Sequence, residues 1–278
     1  MLTSFLRSSK ENRHYIHHSV HHINSSVDIS RLKHSWITAV KRHESYRMVF
    51  VAIDDALSPF GQCVLEESCT LTLPSWKVVA CESDDLQIMD KFIQSTLREA
   101  ENEIVLDRPP YQMTLIQSPT RTFFTFSVFH GLFDGASLQL LFDEVDLTYR
   151  GSEMSKRTEI STAVNMHYGS DATQTVEFWS SQLKECDPVP FPALTSLKPE
   201  TMTKLPLTSS IKASIGIDDL RDGAMNCSTS PLSILQAAWA LILTTYKDSI
   251  HSSTFGSVIS GRLDEDSKVC MGPTCENS

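Results

Sequence analysis

The chain has 278 residues, 41% of them hydrophobic, and 34 acidic against 24 basic side chains give it a net charge of -10. That length can bury a substantial core in one large or two modest domains, and the acidic balance, with no basic stripe anywhere, argues against nucleic acid as a partner. No apolar run approaches the roughly 18 residues of a membrane span, and Met1-Leu-Thr-Ser-Phe-Leu-Arg-Ser-Ser-Lys10 lacks the order of a secretory signal, so no membrane partner and a cytosolic setting are expected.

Near the amino terminus His14, His17, His18, His21 and His22 include i,i+4 pairs that one helix face could offer to zinc. Ile16, Val20 and Ile23 fit a strand as well as a helix, and no acidic or cysteine ligand accompanies the cluster, so a solvated or substrate-facing surface is preferred to a metal site. Residues 27–42 read as a helix with Asp28 as N-cap and Leu32, Trp36, Ala39 and Val40 as its apolar stripe. Residues 46–53 and 62–65 read as strands around the turn Ser58-Pro-Phe-Gly61. Ser83 is expected to cap a second helix that presents Leu86, Met89, Ile93 and Leu97 on one face. Residues 111–117 and 121–129 form a hairpin joined through Pro119, and after it Leu138, Leu141, Phe142, Val145 and Tyr149 recur at helical spacing until Gly151. Between Cys186 and Pro206 five of the 12 prolines cluster, which marks a boundary. Beyond it Ser230-Pro231 opens an apolar helix through Tyr246, with proline where its missing N–H costs nothing and with Ile234, Ala237, Ala238, Leu241 and Ile242 expected to face the core.

Seven cysteines (Cys63, Cys69, Cys81, Cys186, Cys227, Cys270 and Cys275) are odd in number and lack a CxxC pair, so reduced thiols are expected, with neither a disulfide framework nor a zinc site.

The segment Phe126-Ser-Val-Phe-His130-Gly-Leu-Phe-Asp134-Gly135-Ala-Ser137 is the most informative. Alternation places Phe124, Phe126, Val128 and His130 on one strand face, and Gly131 permits a sharp exit. In one reading an imidazole that titrates near neutrality sits where a substrate can reach it, with Asp134 at the mouth of the next helix. In the other, His130 is a strand-end histidine bonded to backbone and Asp134 merely caps that helix. On these residues alone the second is favoured, because short motifs recur by chance.

Other stretches change that balance. The motif resembles the HHxxxDG signature of the condensation domains of nonribosomal peptide synthetases. Arg42-His43-Glu44-Ser45-Tyr46-Arg47-Met48-Val49-Phe50 is similar to that family's RHExLRTxF element. Phe178-Trp179 with Leu183 and the Pro-rich segment resembles its FWxxxL helix and crossover, and Ala237-Ala-Trp239-Ala-Leu241, Phe255-Gly-Ser-Val-Ile-Ser260-Gly261-Arg262 and Met271-Gly-Pro-Thr274 resemble three further elements in the family's order. Two departures stand out. Phe129 replaces the first histidine, and the chain stops at Ser278, short of the stretch that completes the family's second lobe.

The resemblance implies an α/β fold of the chloramphenicol-acetyltransferase type, a two-layer lobe over residues 1–185, a Pro-rich crossover at 186–206 and a partial second lobe at 207–278. It implies amide-bond formation between an acyl or aminoacyl thioester and an acceptor amine, both tethered to the phosphopantetheine of carrier-protein partners, with no cofactor or metal bound directly. His130 would act as general base or position the amine. Asp134 would pair with an arginine, for which Arg42, Arg47 and Arg262 are the candidates, and Gly135 would allow close backbone approach. Two alternatives belong to other classes: an acyltransferase of the wider HxxxD superfamily working from coenzyme A, and a non-catalytic remnant that at most docks a carrier. With the remainder of the second lobe absent, apolar surface intended for it would be exposed.

Overall fold

A computed structural model of the chain describes residues 15–54, 60–72, 74–168, 172–184, 209–245, 254–262 and 264–277. The chain divides into two compact units, Met1–Ser170 with Val258–Glu276, and Asp171–Ser257 with the last two residues. Val258–Glu276, counted with the second lobe in the sequence, thus packs with the first unit. The Pro-rich segment and His14 lie outside the described residues.

In chain order the first unit contains β1 (Ile16–Ile23), α1 (Ile29–Arg42), β2 (Met48–Ala52), β3 (Phe60–Val64), β4 (Trp76–Ala80), α2 (Leu86–Glu103), β5 (Tyr111–Gln117), β6 (Thr122–Phe129), α3 (Gly135–Arg150), β7 (Thr158–Glu159) and α4 (Ile160–Tyr168). A four-stranded sheet runs β1-β6-β5-β4, antiparallel except for the parallel β5–β4 pair, and β2 and β3 form a separate hairpin. One face of the sheet packs on α1 and α3. Trp36 of α1 lies 4.8 Å from Phe124 and 4.9 Å from Phe126 between ring centroids, contacts that each add about 0.5–1.5 kcal/mol beyond burial. On the opposite face Met89, Ile93 and Leu97 of α2 cover Ile116. The alternation expected for β6 is therefore real, with Phe124, Phe126 and Val128 in the larger core and Phe123 against the smaller one.

Helix ends follow local chemistry. Asp28 accepts a hydrogen bond from Arg31 N at 3.0 Å and caps α1. At α2 the cap is Asp85, not Ser83: the aspartate accepts from the amides of Gln87 and Ile88, while Ser83 Oγ accepts from Asp85 N at 3.1 Å and so turns the chain one step earlier. Leu86, expected on the apolar face, is exposed because it precedes the buried stripe. Gly151 ends α3 at φ 75°, a left-handed conformation that a side chain would strain.

β1 resolves the helix-or-strand question of the histidine cluster. As a strand it sends His17 and His21 to the α1/α3 face and His18 and His22 to the α2 face. Residues four apart on a strand are separated by about 13 Å, too far to share a small ion. His18 links Ser127 Oγ (2.8 Å) to Glu101 Oε1 (2.9 Å), tying β1, β6 and α2 together; Ser127 is fully buried, so this is a clamp.

After the second unit's α5 (Ala172–Gln182), α6 (Ile217–Asn226) and α7 (Pro231–Thr245), the chain adds β8 (Val258–Ser260), α8 (Glu265–Lys268), β9 (Cys270–Met271) and β10 (Cys275–Asn277). β9 runs parallel to β7, and β8 pairs with β10. Within the second unit Ser230 Oγ accepts from Ser233 N at 3.0 Å and starts α7 beside Pro231. The inward face expected for α7 is not observed: Ala237, Ala238, Leu241 and Ile242 are exposed and Ile234 is half-buried, while Leu243 is buried. Apolar spacing sets which residues share a stripe but cannot supply the element that covers it. Among the described residues no single helix is long and apolar enough to cross a membrane; α6 and α7 together would be, but they meet at 94°.

Candidate active site

The candidate site is built at the carboxyl end of β6. The strand stops at Phe129, whose amide donates to Pro110 O, and His130 opens a short helical turn that runs to Leu132. His130 therefore does not continue the strand face of Phe124, Phe126 and Val128. Its amide donates to Tyr15 O at 2.7 Å, and its exposed ring stacks on Phe133 with centroids 4.6 Å apart at 29°. Phe129, Leu132 and Phe133 are all buried, so this exposed imidazole is held by anchored neighbours on both sides. That arrangement restricts where its nitrogens can point.

Phe129 fills the position of the missing histidine with a fully buried ring, edge-on to Phe50 at 5.6 Å. Gly131 is required by that ring more than by backbone freedom, since a Cβ there would lie 2.4 Å from Phe129 Cε1. Gly135 differs from expectation. A Cβ at this position meets nothing within 4 Å, so no close backbone approach depends on it.

Asp134 is buried and occupies the N-cap of α3. Its Oδ1 accepts from Ser137 N at 2.8 Å, and Ser137 Oγ accepts from Asp134 N at 2.9 Å, so each closes the other's free amide. Arg262 is the arginine that meets it, Nη2 donating to Oδ1 at 2.7 Å and Nε to Oδ2 at 3.3 Å. Thr274 adds its amide and hydroxyl to Oδ2, both at 3.1 Å. Burial taken alone would raise this carboxyl, but the Arg262 guanidinium and the Ser137 and Thr274 donors outweigh it and hold it at about 2. Arg262 in turn donates to the carbonyls of Ser267, Cys270 and Gly272 at 2.8–2.9 Å. Gly261 N donates to Thr274 O, and a Cβ on Gly261 would stand 2.1 Å from that oxygen. The SGR and GPT stretches thus close on each other and together grip the base of the turn bearing His130.

Arg42 and Arg47 are engaged elsewhere. Arg42 Nη2 donates to Ser155 O at 2.7 Å and Nη1 lies 3.6 Å from Glu144, whereas Arg47 donates to Leu65 O and secures the β2–β3 hairpin. The residue between them in the motif is more informative. His43 is fully buried, with Nε2 2.6 Å from Glu144 Oε2 and Nδ1 3.7 Å from Glu159 Oε1, an ion-pair distance too long for a hydrogen bond. Arg157 Nε also donates to Glu144 at 2.9 Å. Desolvation lowers the imidazole's proton affinity, yet the two glutamates more than offset it and His43 is raised above its ordinary range. Glu44 N donates to Glu159, and Glu44 accepts from Ser161 N. This element is a buried charge network that joins α1, α3 and the β7–α4 junction.

Sequence reasoning missed three contributors: Thr274, Glu144 and Phe133. Thr274 and Phe133 each stood in a recognised stretch without being singled out, whereas nothing local marks Glu144. Among the described residues no group of three or more His, Cys, Asp or Glu side chains is placed to hold a metal.

This geometry agrees with what comparison finds. Residues 3–273 match the family model described as Condensation domain. The chain belongs to the condensation-domain family. This condensation domain is 38% identical over 279 residues to nonribosomal peptide synthetase sidC of Aspergillus fumigatus, covering 99% of this chain and 6% of that protein. It is 32% identical to siderophore peptide synthetase fer3 of Mycosarcoma maydis, again covering 99% of this chain and 6% of the relative. Among solved structures it resembles the condensation domain of the monacolin K polyketide synthase MokA, with TM-score 0.66 and 14% identity over 95% of this chain and 61% of that one. A structure concerned with condensation-domain-mediated chain release from the enacyloxin polyketide synthase gives TM-score 0.67 at 14% identity, over 98% of this chain and 53% of that one. The fold is the chloramphenicol-acetyltransferase-like α/β fold with part of a second lobe.

Proposed function

We propose that this condensation domain joins two carrier-tethered building blocks through an amide bond, with His130 as the residue that handles the amine's proton. The observation that supports this most directly is the exposed imidazole on a turn whose flanking residues are buried and whose base is locked by Asp134, Arg262 and Thr274. The acceptor amine attacks the thioester carbonyl, the N–C bond forms, and the C–S bond breaks. The proton leaving the amine passes to His130 and returns to the departing phosphopantetheine thiolate, so no co-reactant is consumed. Tethering supplies much of the acceleration by making the encounter intramolecular. Asp134 does not touch substrate in this reading; with both oxygens engaged, it keeps the His130 turn and α3 in register. Arg42 and Arg47 support the surrounding framework.

Carrier-protein domains are the partners in this proposal, phosphopantetheine is their arm and not a resident cofactor, and the setting is cytosolic. The name of the fer3 relative, siderophore peptide synthetase, gives the product class to screen first. The test is mass spectrometry of carrier-bound products formed by the chain, and by a chimaera in which residues 1–274 replace the matching segment of the Aspergillus fumigatus relative. Product that disappears with His130→Ala supports the proposal. Product that persists at an unchanged rate with His130→Ala removes His130 from the chemistry, and no product from either wild-type protein favours a non-catalytic carrier-docking role.

A further inference from the structure

The histidines of β1 are not used by the reaction described above, but one of them reaches the site. Antiparallel pairing sets His17 opposite Val128, and the amide of His130 is bonded to Tyr15 O just before β1 begins. The His17 ring meets the Phe133 ring edge-on, with centroids 5.5 Å apart at 62°, while His130 stacks on the same Phe133. Phe133 is buried and His17 is half-buried, so the phenyl ring sits between a neighbour more enclosed than His130 and the exposed imidazole it supports. An edge-on aromatic contact sets the tilt of a ring, and a stacked partner takes that tilt.

We infer that His17 is a positioning residue of the condensation site, acting through Phe133 to fix the plane in which His130 presents its nitrogens. The inference rests on the reading of His130 given above. A histidine suits the place only if it stays neutral beside a group that must take up a proton. Burial lowers the proton affinity of His17, and repulsion from His130 on the turn and from His18 on its own strand lowers it further. His18 is turned to the other face, held by Ser127 and Glu101, and His21, four positions further along the same face, is also lowered by burial. A neutral His17 offers the edge of an aromatic ring without adding charge to the site.

Two measurements test this in the chimaera that carries the reaction. In single-turnover kinetics His17→Ala should lower the rate about 10-fold with substrate affinity little changed, and His17→Phe, which keeps an aromatic edge, should recover to within about threefold of wild type. His17→Lys should move the acid limb of the rate profile to lower pH, because a fixed cation opposes protonation of His130. Independently of activity, the His17 ring signals followed by NMR should titrate below the ordinary histidine range and move upward in His130→Phe, since coupling between two sites is mutual. A rate unchanged in His17→Ala, or a His17 titration indifferent to His130→Phe, overturns the inference while leaving the role of His130 intact. If His130→Ala itself retains full activity, the proposed reaction site fails and the NMR coupling alone decides whether the two rings communicate.

Discussion

Replacing Asp134 by asparagine keeps the shape and the acceptor for Ser137 N but deletes the charge that Arg262 and Thr274 surround. A carboxyl held at about 2 in place of 3.8 corresponds to roughly 2 kcal/mol of preferential stabilisation of the ionised form. The larger penalty of about 3–5 kcal/mol for orphaning a buried partner is not reached, because Arg262 keeps its bonds to the carbonyls of Ser267, Cys270 and Gly272. The assay is urea unfolding at neutral pH of wild type, Asp134→Asn, Arg262→Gln and the double variant. The expected coupling energy is about 2 kcal/mol, against the few tenths seen between independent sites. The pH dependence has a definite sign. A depressed carboxyl contributes its stability above the usual carboxylate range and loses it as pH falls from about 4 toward about 2, so the gap between wild type and Asp134→Asn should close over that interval. Additive single variants, or a gap that stays constant down to about pH 2, would refute the reasoning.

Phe129→His restores the residue usual in the family, but it places an imidazole where a fully buried ring meets Phe50; unfolding should show a loss of about 2–4 kcal/mol. The condensation rate of that variant should change by less than about tenfold, and a change of several orders of magnitude would mean that position 129 takes part in the chemistry. Gly261→Ala drives a methyl against Thr274 O, so it should cost about 1–3 kcal/mol and expose the Thr274 amide to faster hydrogen exchange; unaltered exchange would show that the clasp on Asp134 does not depend on this close approach. For the buried network, a raised His43 contributes stability below 6.5 that is lost as pH climbs through its folded value, while the lowered Glu144 and Glu159 contribute above 4.5. The melting-temperature difference between wild type and His43→Gln should therefore be largest between those limits and shrink on either side. A difference that grows in alkali would show that the imidazole is buried neutral.

Much of the local architecture was legible in the residues themselves, since it depends on neighbours a few positions apart. Alternation along β6, the stripe of α1, the caps at Asp28 and Asp134, the stop at Gly151 and the proline start of α7 each reflect near-neighbour stereochemistry. The order of the family's motifs also located His130 and offered three arginines for Asp134. Choosing Arg262 required tertiary structure, because residues 128 positions apart meet only when the chain after β8 folds back. The same holds for His43, whose partner Glu144 lies 101 residues away, and for His17, whose link to His130 runs through Phe133. Periodicity told which residues of α7 lie together but not whether anything covers them, and in the described structure Leu241 and Ile242 remain exposed. Sequence spacing encodes which side chains share an element. Pairing between elements is set by the packing of the whole sheet and by the need to neutralise buried charge, which no local pattern records.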